Sequence, residues 1–196
     1  NAYAAALALL DRVPLIDGHN DLPYVIRKDA KAKGEVAAYS LDKVHEEGDT
    51  DIPRMQAGKM AAQFFAAYVP PKQPNPAGFA LAQIALMRDI LKRHANAFRP
   101  GLSAADVEAA KAEGRIALFM TIENGSAVDG ELDALDAYYD LGVRLMTLCH
   151  NNTTDWCDSA TDAPRHNGLT AFGKDVLRRM NKLGMVIDLA HVAPKV

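Results

Sequence analysis

Residues 15–21 read LIDGHND and place three polar side chains on alternate positions. Asp17, His19 and Asp21 follow the apolar pair Leu15-Ile16. Because residues two apart in a β-strand point to the same face, these side chains would converge on one side of a strand that begins in apolar residues. An imidazole and a carboxylate that face the same way can hold a divalent metal ion. A turn histidine beside a capping aspartate fits the same spacing, so the pattern alone leaves both interpretations open.

Three further ligand-type residues end short apolar runs. Glu123 ends IALFMTIE, His150 follows LMTLC and His191 ends MVIDLAH. Because function sits at the C-terminal ends of strands in parallel α/β folds, this coincidence predicts one shared polar rim. Each residue also has an ordinary interpretation, since Glu123 could simply reach water and each histidine could bond to loop backbone. Together with His19 and Asp21, they form the N/O donor set that Zn²⁺ and similar divalent ions prefer.

Five short apolar runs are predicted to be buried strands because they are rich in Ile, Val, Phe and Leu. They begin at Leu15, Ala61, Arg115, Arg144 and Met185. The N-terminal stretch NAYAAALALL is predicted to be a surface helix that packs its apolar side on the protein. Further helices are predicted within residues 76–98, 103–114, 131–142 and 169–184, with Ser103 and Thr170 as N-caps and Gly114, Gly142 and Gly184 as stops.

The alternation of strands and helices predicts parallel strands joined by crossover helices. A doubly wound sheet and a TIM-type barrel both fit this alternation. The chain contains neither GxGxxG nor GxxxxGK[ST], so a nucleotide-binding version of either fold is disfavoured.

Bulk composition disfavours several classes of function. The 196 residues include 22 Lys and Arg against 25 Asp and Glu, so no basic surface for nucleic acid is expected. No run reaches the roughly 18 to 20 apolar residues of a transmembrane helix. Two cysteines, Cys149 and Cys157, are too few for a disulfide scaffold. The remaining histidines, His45, His94 and His166, are predicted to be solvated.

Four sequence blocks resemble the renal (membrane) dipeptidase family, which are zinc dipeptidases of the amidohydrolase superfamily. The blocks are LIDGHNDLP, TDIPRMQAGKMAAQFFAAYVP, YDLGVRLMTLCHNNTTDWCDS and GLTAFGKDVLRRMNKLGMVIDLAHV, and the resemblance runs from about Val13 to the last residue. It implies a (β/α)₈ TIM-type barrel of the metal-dependent hydrolase kind, with about the first five strands in this chain. Since such a barrel needs roughly 250 residues, residues 1–196 are expected to be the N-terminal part of one catalytic domain that continues further.

The resemblance implies a dinuclear site with two Zn²⁺ ions. His19 and Asp21 match the ligands of one ion, and Glu123 matches the carboxylate that bridges both. His191 matches a ligand of the second ion, and His150 matches the residue that contacts the scissile carbonyl and steadies its oxyanion. Two bridged ions would lower the pKa of a shared water, so the expected reaction is hydrolysis of a dipeptide by the resulting hydroxide.

The resemblance also implies a homodimer. The sequence itself departs from the family pattern at a few positions. Ala190 and Ala193 stand where serines are usual. Residues 1–196 contain no counterpart of three other family residues. These are the second histidine for the second ion, the substrate-binding arginine and an aspartate near the bridging water. The remainder of the barrel is therefore needed for a complete site.

Two alternatives stay open: an incomplete or degenerate homologue without catalysis, and another amidohydrolase that acts on a cyclic amide or lactam. Asp21 disfavours the latter, because many such enzymes carry HxH. The non-Met start and Ala-rich composition favour an exported, periplasmic protein over a cytoplasmic one.

Overall fold

The computed structural model describes all of residues 1–196 and contains seven α-helices and six β-strands. The helices are α1 (Ala2–Arg12), α2 (Leu22–Lys28), α3 (Ile52–Ala57), α4 (Pro76–Arg93), α5 (Ala104–Ala112), α6 (Ala134–Asp140) and α7 (Ala171–Leu183). The strands are β1 (Leu15–Asn20), β2 (Met60–Tyr68), β3 (Phe98–Pro100), β4 (Ile116–Glu123), β5 (Val143–Thr147) and β6 (Val186–Asp188). No helix combines the length and the apolar character that crossing a membrane requires.

The predicted elements are present at the predicted places. The five apolar runs form β1, β2, β4, β5 and β6, and the predicted helices after the first strand are α4 to α7. One strand, β3, was not predicted, because its sequence Phe-Arg-Pro has only three residues, one charge and a proline. Its partner β4 supplies the regular pairing that makes it a strand, with Phe98 beside Ile116.

The described strand pairings are parallel. β1 pairs with β2, β3 with β4, β4 with β5 and β5 with β6. The strand order is β1-β2-β4-β5-β6, with β3 beside β4. Since neighbouring parallel strands run in the same direction, β4, β5 and β6 present their carboxyl ends side by side. This arrangement confirms the predicted parallel α/β fold.

The chain forms two compact units. The first comprises Asn1–Phe65 and Leu86–Phe119, and the second comprises Ala66–Ala85 and Met120–Val196. In the first unit, helix α5 packs on β2 and β4, and Phe64 and Phe119 stack with their ring centroids 4.5 Å apart. The buried members of this cluster are small apart from Phe119, so the helix can approach the strands closely: Ala61, Ala62, Val107, Ala110, Ala117 and Phe119.

Helix α1 is held in the first unit by polar contacts, which differs from the predicted apolar packing. None of its residues is buried. Lys111 donates from Nζ to the carbonyl oxygen of Leu10 at 2.5 Å, and Lys59 forms an ion pair with Asp11. A cation beside the last carbonyls of a helix also opposes the negative end of the helix dipole.

Strand β1 is also more exposed than predicted. Leu15 is 37% and Ile16 is 49% exposed, although their apolar character indicated burial. β1 lies at the end of the strand order, so a neighbouring strand covers only one of its edges. A sequence pattern reports that a residue is apolar, but it does not report which surfaces other elements cover.

Helix α7 leads the second unit into β6 through well-defined caps. Oγ1 of Thr170 accepts a hydrogen bond from the Gly173 amide at 3.1 Å, which starts the helix as predicted. Gly184 ends it in the left-handed region, with φ of +79°, where a residue without Cβ is favoured. The chain then turns directly into β6, which fixes the position from which His191 follows.

Asp51 anchors the polypeptide before β2. Its side chain is fully buried and caps α3, accepting hydrogen bonds from the Arg54 amide (2.8 Å), the Arg54 Nε–H (2.6 Å) and the His45 amide (3.2 Å). Burial acts to raise the pKa of Asp51, but these donors and the guanidinium charge outweigh it and hold the pKa below its usual value. The contribution of this carboxylate to stability is therefore complete above its unfolded pKa of about 3.9, and it is lost as the pH falls through the lower folded pKa.

We predict that Asp51→Asn lowers the free energy of unfolding of the full-length protein by about 1–3 kcal/mol at neutral pH, because charge-assisted bonds become neutral ones. The difference from wild type should shrink as the pH falls below about 4. Urea unfolding across this pH range measures it. Asp175→Asn, which removes an exposed ion pair with Arg178, is the matched control and should change little. A difference that stays constant with pH would contradict the assignment.

Candidate metal centre

In the second unit, three ligand-type side chains meet at the carboxyl ends of neighbouring strands. Glu123 is the last residue of β4, and His150 and His191 follow the ends of β5 and β6. Nε2 of His150 lies 3.5 Å and Nε2 of His191 lies 3.4 Å from Oε1 of Glu123. One ligand atom from each of the three residues lies within 4.8 Å of the other two. The predicted convergence of Glu123, His150 and His191 is therefore present in this unit.

Glu123 carries its charge at the end of a strand that is buried throughout. All eight residues of β4 are buried, and Glu123 itself is 6% exposed. Its backbone carbonyl accepts the Val69 amide at 3.0 Å, so the position of the residue is fixed by β-type bonding. An ionised carboxylate withdrawn from water is costly unless other groups compensate it. Imidazole N–H groups and a cation both provide such compensation.

The side chain of His150 is enclosed by aromatic neighbours. The ring of Tyr68 contacts it edge-on, with centroids 4.9 Å apart, and the ring of His191 lies 4.3 Å away. Tyr68 was not among the predicted site residues, although it ends β2 in the same way that Glu123 ends β4. That position at a strand end was the available signal, and a tyrosine was overlooked because it is not a common metal ligand.

His191 lies in a turn beyond β6 and adopts an unusual backbone conformation. Its φ is +67°, in the left-handed region that residues with a Cβ rarely occupy. The carbonyl oxygen of His191 accepts a hydrogen bond from the Ala160 amide at 2.8 Å, which helps to hold this conformation. Asp188, the last residue of β6, accepts a hydrogen bond from the Thr147 hydroxyl at 2.6 Å and thereby joins the ends of β5 and β6.

In the first unit, the predicted pair lies at the end of β1, with His19 inside the strand and Asp21 directly after its last residue. Nε2 of His19 lies 3.4 Å from Oδ2 of Asp21, and these side chains are 42% and 47% exposed. Asp21 precedes α2 but makes no side-chain capping bond, so its carboxylate is not committed to the helix. Asp17 accepts a hydrogen bond from the His19 backbone amide at 3.2 Å, which helps to fix the chain from which the His19 side chain extends.

The cluster of Glu123, His150 and His191 fits a divalent ion by donor type and by spacing. Two atoms each about 2.1 Å from a tetrahedral ion lie about 3.4 Å apart. The two nitrogen-to-oxygen separations of 3.5 and 3.4 Å match that edge. Imidazole nitrogen and carboxylate oxygen are the donors that zinc accepts most readily besides thiolate. These residues can therefore hold an ion of the predicted kind, and their individual roles stay predictions.

A cavity of about 840 Å³ lies among the loops of the second unit. Trp156, which is 4% exposed, lines it together with Phe172. Charged side chains of both signs reach the same cavity, including Lys72, Arg165 and Asp162. The candidate metal ligands do not line it.

The other histidines are not simply solvated as predicted. His45 stacks on Tyr39 with ring centroids 4.4 Å apart, and His166 places Nε2 2.9 Å from the Thr154 carbonyl oxygen. Burial lowers the pKa of His94. Local loop packing, which a pattern of residue types does not reveal, partly encloses all three. None of these three histidines belongs to the cluster of Glu123, His150 and His191.

Parallel α/β folds with nitrogen and oxygen donors at their strand ends include doubly wound sheets and TIM-type barrels. Comparisons with known proteins show the family to which this chain belongs. The family model for membrane dipeptidase (Peptidase family M19) matches residues 3–196. The chain belongs to this family.

The matched relatives are dipeptidases. Dipeptidase 3 of Rattus norvegicus is 34% identical over 196 residues, which cover 96% of this chain and 38% of that protein. An uncharacterized dipeptidase of Schizosaccharomyces pombe is 35% identical over 202 residues, which cover 95% of this chain and 48% of that protein. The chain thus spans less than half the length of these two relatives.

A solved structure supports the same fold. The metallopeptidase dipeptidase AC of family M19 superposes with a TM-score of 0.74 and 27% identity, covering 93% of this chain and 58% of that chain. The fold of this chain is therefore that of part of the family's TIM-type barrel, which confirms the predicted fold class.

We predict that added Zn²⁺ raises the unfolding temperature of the metal-free full-length protein, because a ligand that binds only the folded state stabilises it by about 2.7 kcal/mol at a hundredfold excess over Kd. Glu123→Gln should reduce this rise, since an amide is a weaker ligand than a carboxylate. The matched control is Glu131→Gln, which makes the same chemical change at an exposed position. Equal zinc-induced shifts in wild type and Glu123→Gln would exclude Glu123 as a ligand.

Proposed function

We propose that the full-length protein is a metal-dependent dipeptidase that uses zinc. The observation that carries this proposal is the convergence of a buried carboxylate and two imidazoles at the ends of β4, β5 and β6, in a chain of the membrane dipeptidase family. The donor types suit zinc, and the relatives that match the chain are named dipeptidases.

The proposed ligands follow the resemblance described above. His19 and Asp21 would hold one ion, His191 would hold a second, and Glu123 would contribute to both. When bound, the ions would supply Lewis acidity towards the substrate carbonyl and make water more acidic. A homodimer and an exported location are further proposals, supported only by the resemblance and by composition.

His150 is proposed to act on the substrate. Its Nε2 is part of the cluster, 3.5 Å from Glu123, and Tyr68 packs against its ring. An imidazole N–H held there can donate a hydrogen bond to the oxygen on which negative charge develops as the peptide carbonyl is attacked. Fixing the ring before the reaction matters, because a preorganised donor does not need to reorient at the moment of charge development.

Glu123 is proposed to orient both imidazoles. Oε1 of Glu123 lies 3.5 Å from Nε2 of His150, so the carboxylate favours the His150 ring orientation in which this nitrogen points into the cluster, and towards His191 it would act through the ion that both would hold. The burial of Glu123 removes competing water and strengthens its interactions with cationic and N–H groups.

The proposal is tested by measuring dipeptide hydrolysis by the full-length protein before and after exhaustive chelation. We expect activity to disappear on chelation and to return with added Zn²⁺. Undiminished hydrolysis without metal would overturn the proposal. Metal binding without any hydrolysis would identify a degenerate homologue instead.

We predict different defects for the two histidines of the cluster. His191→Asn should lower the bound metal content, whereas His150→Asn should retain the metal and lower kcat about 10²–10³-fold, the usual effect of losing one oxyanion donor. Metal analysis and steady-state kinetics of the same preparations measure both quantities. His94→Asn, a histidine outside the cluster, serves as the control. Loss of metal in the His150 variant would reassign His150 as a ligand.

A further inference from the structure

The two histidines of the cluster share one supporting segment, Asp158–Ala160, which lies in the connection between β5 and α7 and in which Asp158 and Ser159 are buried. Ser159 is 2% exposed and pairs with Val192 in an isolated antiparallel bridge. The segment therefore runs directly alongside the chain that carries His191. It has no assigned role in the chemistry described so far.

The hydroxyl group of Ser159 contacts the backbones of both histidines. Oγ of Ser159 donates to the His150 carbonyl oxygen at 2.7 Å and lies 3.4 Å from the His191 carbonyl oxygen. The Thr161 amide donates to the same Oγ at 3.3 Å. A hydroxyl carries one proton, so Ser159 donates mainly to the nearer carbonyl, that of His150. The His191 carbonyl oxygen lies farther away but next to the same hydroxyl.

His191 depends on this segment for its backbone conformation. Its φ of +67° is unfavourable for a residue with a Cβ, and such conformations persist only where surrounding contacts impose them. The Ala160 amide donates to the His191 carbonyl at 2.8 Å, next to the Ser159 hydroxyl. Cys149, the residue before His150, also places its Sγ 3.6 Å from this carbonyl oxygen.

The segment itself cannot easily relax, because hydrogen bonds to other loop residues hold Asp158 and Ser159 in place. The buried carboxylate of Asp158 accepts amide hydrogen bonds from Arg165 (2.8 Å), His166 (3.1 Å) and Gly168 (2.9 Å). Its backbone carbonyl accepts the Ala193 amide at 3.0 Å. The Ser159 amide donates to Thr153 Oγ1 at 3.1 Å. The hydroxyl of Ser159 is thus presented from a rigid support.

We propose that Ser159 is a positioning residue that sets the placement of His150 relative to His191 by bonding their backbones. This inference rests on the proposed metal-dependent dipeptidase function. Loss of the hydroxyl should let the two strand ends shift relative to each other, while the side chains that form the cluster remain present. Removal of a group that hydrogen-bonds to a catalytic or metal-ligating residue and orients it typically lowers metal affinity or activity by about 10–100-fold.

The test compares Ser159→Ala with wild type in the full-length protein. We expect kcat to fall about 10–100-fold with a smaller change in KM, and zinc affinity, measured by competition with a chromogenic chelator, to fall within a similar range. Ser159→Thr keeps the hydroxyl and suits the extended backbone of the bridge, so it should restore both quantities. Ser126→Ala is the matched control, because the buried Oγ of Ser126 has no hydrogen-bond partner.

A purely structural role for Ser159 predicts a different result. In that case the unfolding temperature of the variant would fall, but its zinc affinity and its kcat per folded, metal-loaded molecule would equal those of wild type. This result would overturn the inference. If Ser159→Ala does not fold, Ser159→Cys, which retains a weak donor, undergoes the same measurements with the same two outcomes. If wild type itself neither binds zinc nor hydrolyses dipeptides, the proposed function fails and this inference fails with it. An active wild type with an unaffected Ser159→Ala variant overturns the inference alone.

Discussion

The burial of Glu123 at the end of β4 is the constraint on which the candidate site depends. A strand whose eight residues are all buried delivers a carboxylate to a place where water cannot solvate it fully. Imidazoles from the two following strand ends lie within 3.5 Å of this carboxylate. Imidazoles compensate a carboxylate less strongly than a permanent cation would, so the arrangement leaves room for a metal ion to provide the remaining charge.

Two other buried carboxylates show how the same protein treats an aspartate with a structural role. Asp51 and Asp158 accept amide N–H groups at hydrogen-bond distance, and Asp51 also accepts the Arg54 Nε–H. In both cases burial acts to raise the pKa, but the hydrogen bonds and nearby positive charge outweigh it and lower the pKa. Their bonding capacity is used inside loops that they hold together. The N–H donors around Asp51 and Asp158 come from the chain segments that these carboxylates organise, whereas Glu123 has imidazoles beside it.

Much of the fold could be predicted from sequence because short apolar runs and capping residues are local signals. The runs that became β2, β4 and β5 and the caps Thr170 and Gly184 illustrate this. β3 escaped because three residues with a proline carry too little pattern, and the exposure of Ile16 depends on which surfaces other elements cover. The positions of the site residues at strand ends were predictable for the same local reason. Ser159 was not, since its importance arises from partners 9 and 32 residues away that only the folded chain brings together.

The hydrogen bonds of the β5–α7 connection also differ in the length of chain that they close. The bonds that shape the loop join residues 6, 7 and 10 apart, as in Ser159 to Thr153 and Asp158 to Arg165 and Gly168. Such short closures cost little chain entropy, whereas the contact of Ser159 with His191 spans 32 residues and must wait for α7 and β6 to be in place. The order of entropic cost therefore favours formation of the supporting loop before the left-handed turn at His191. The unfavourable backbone conformation is imposed only when the structure that can sustain it already exists.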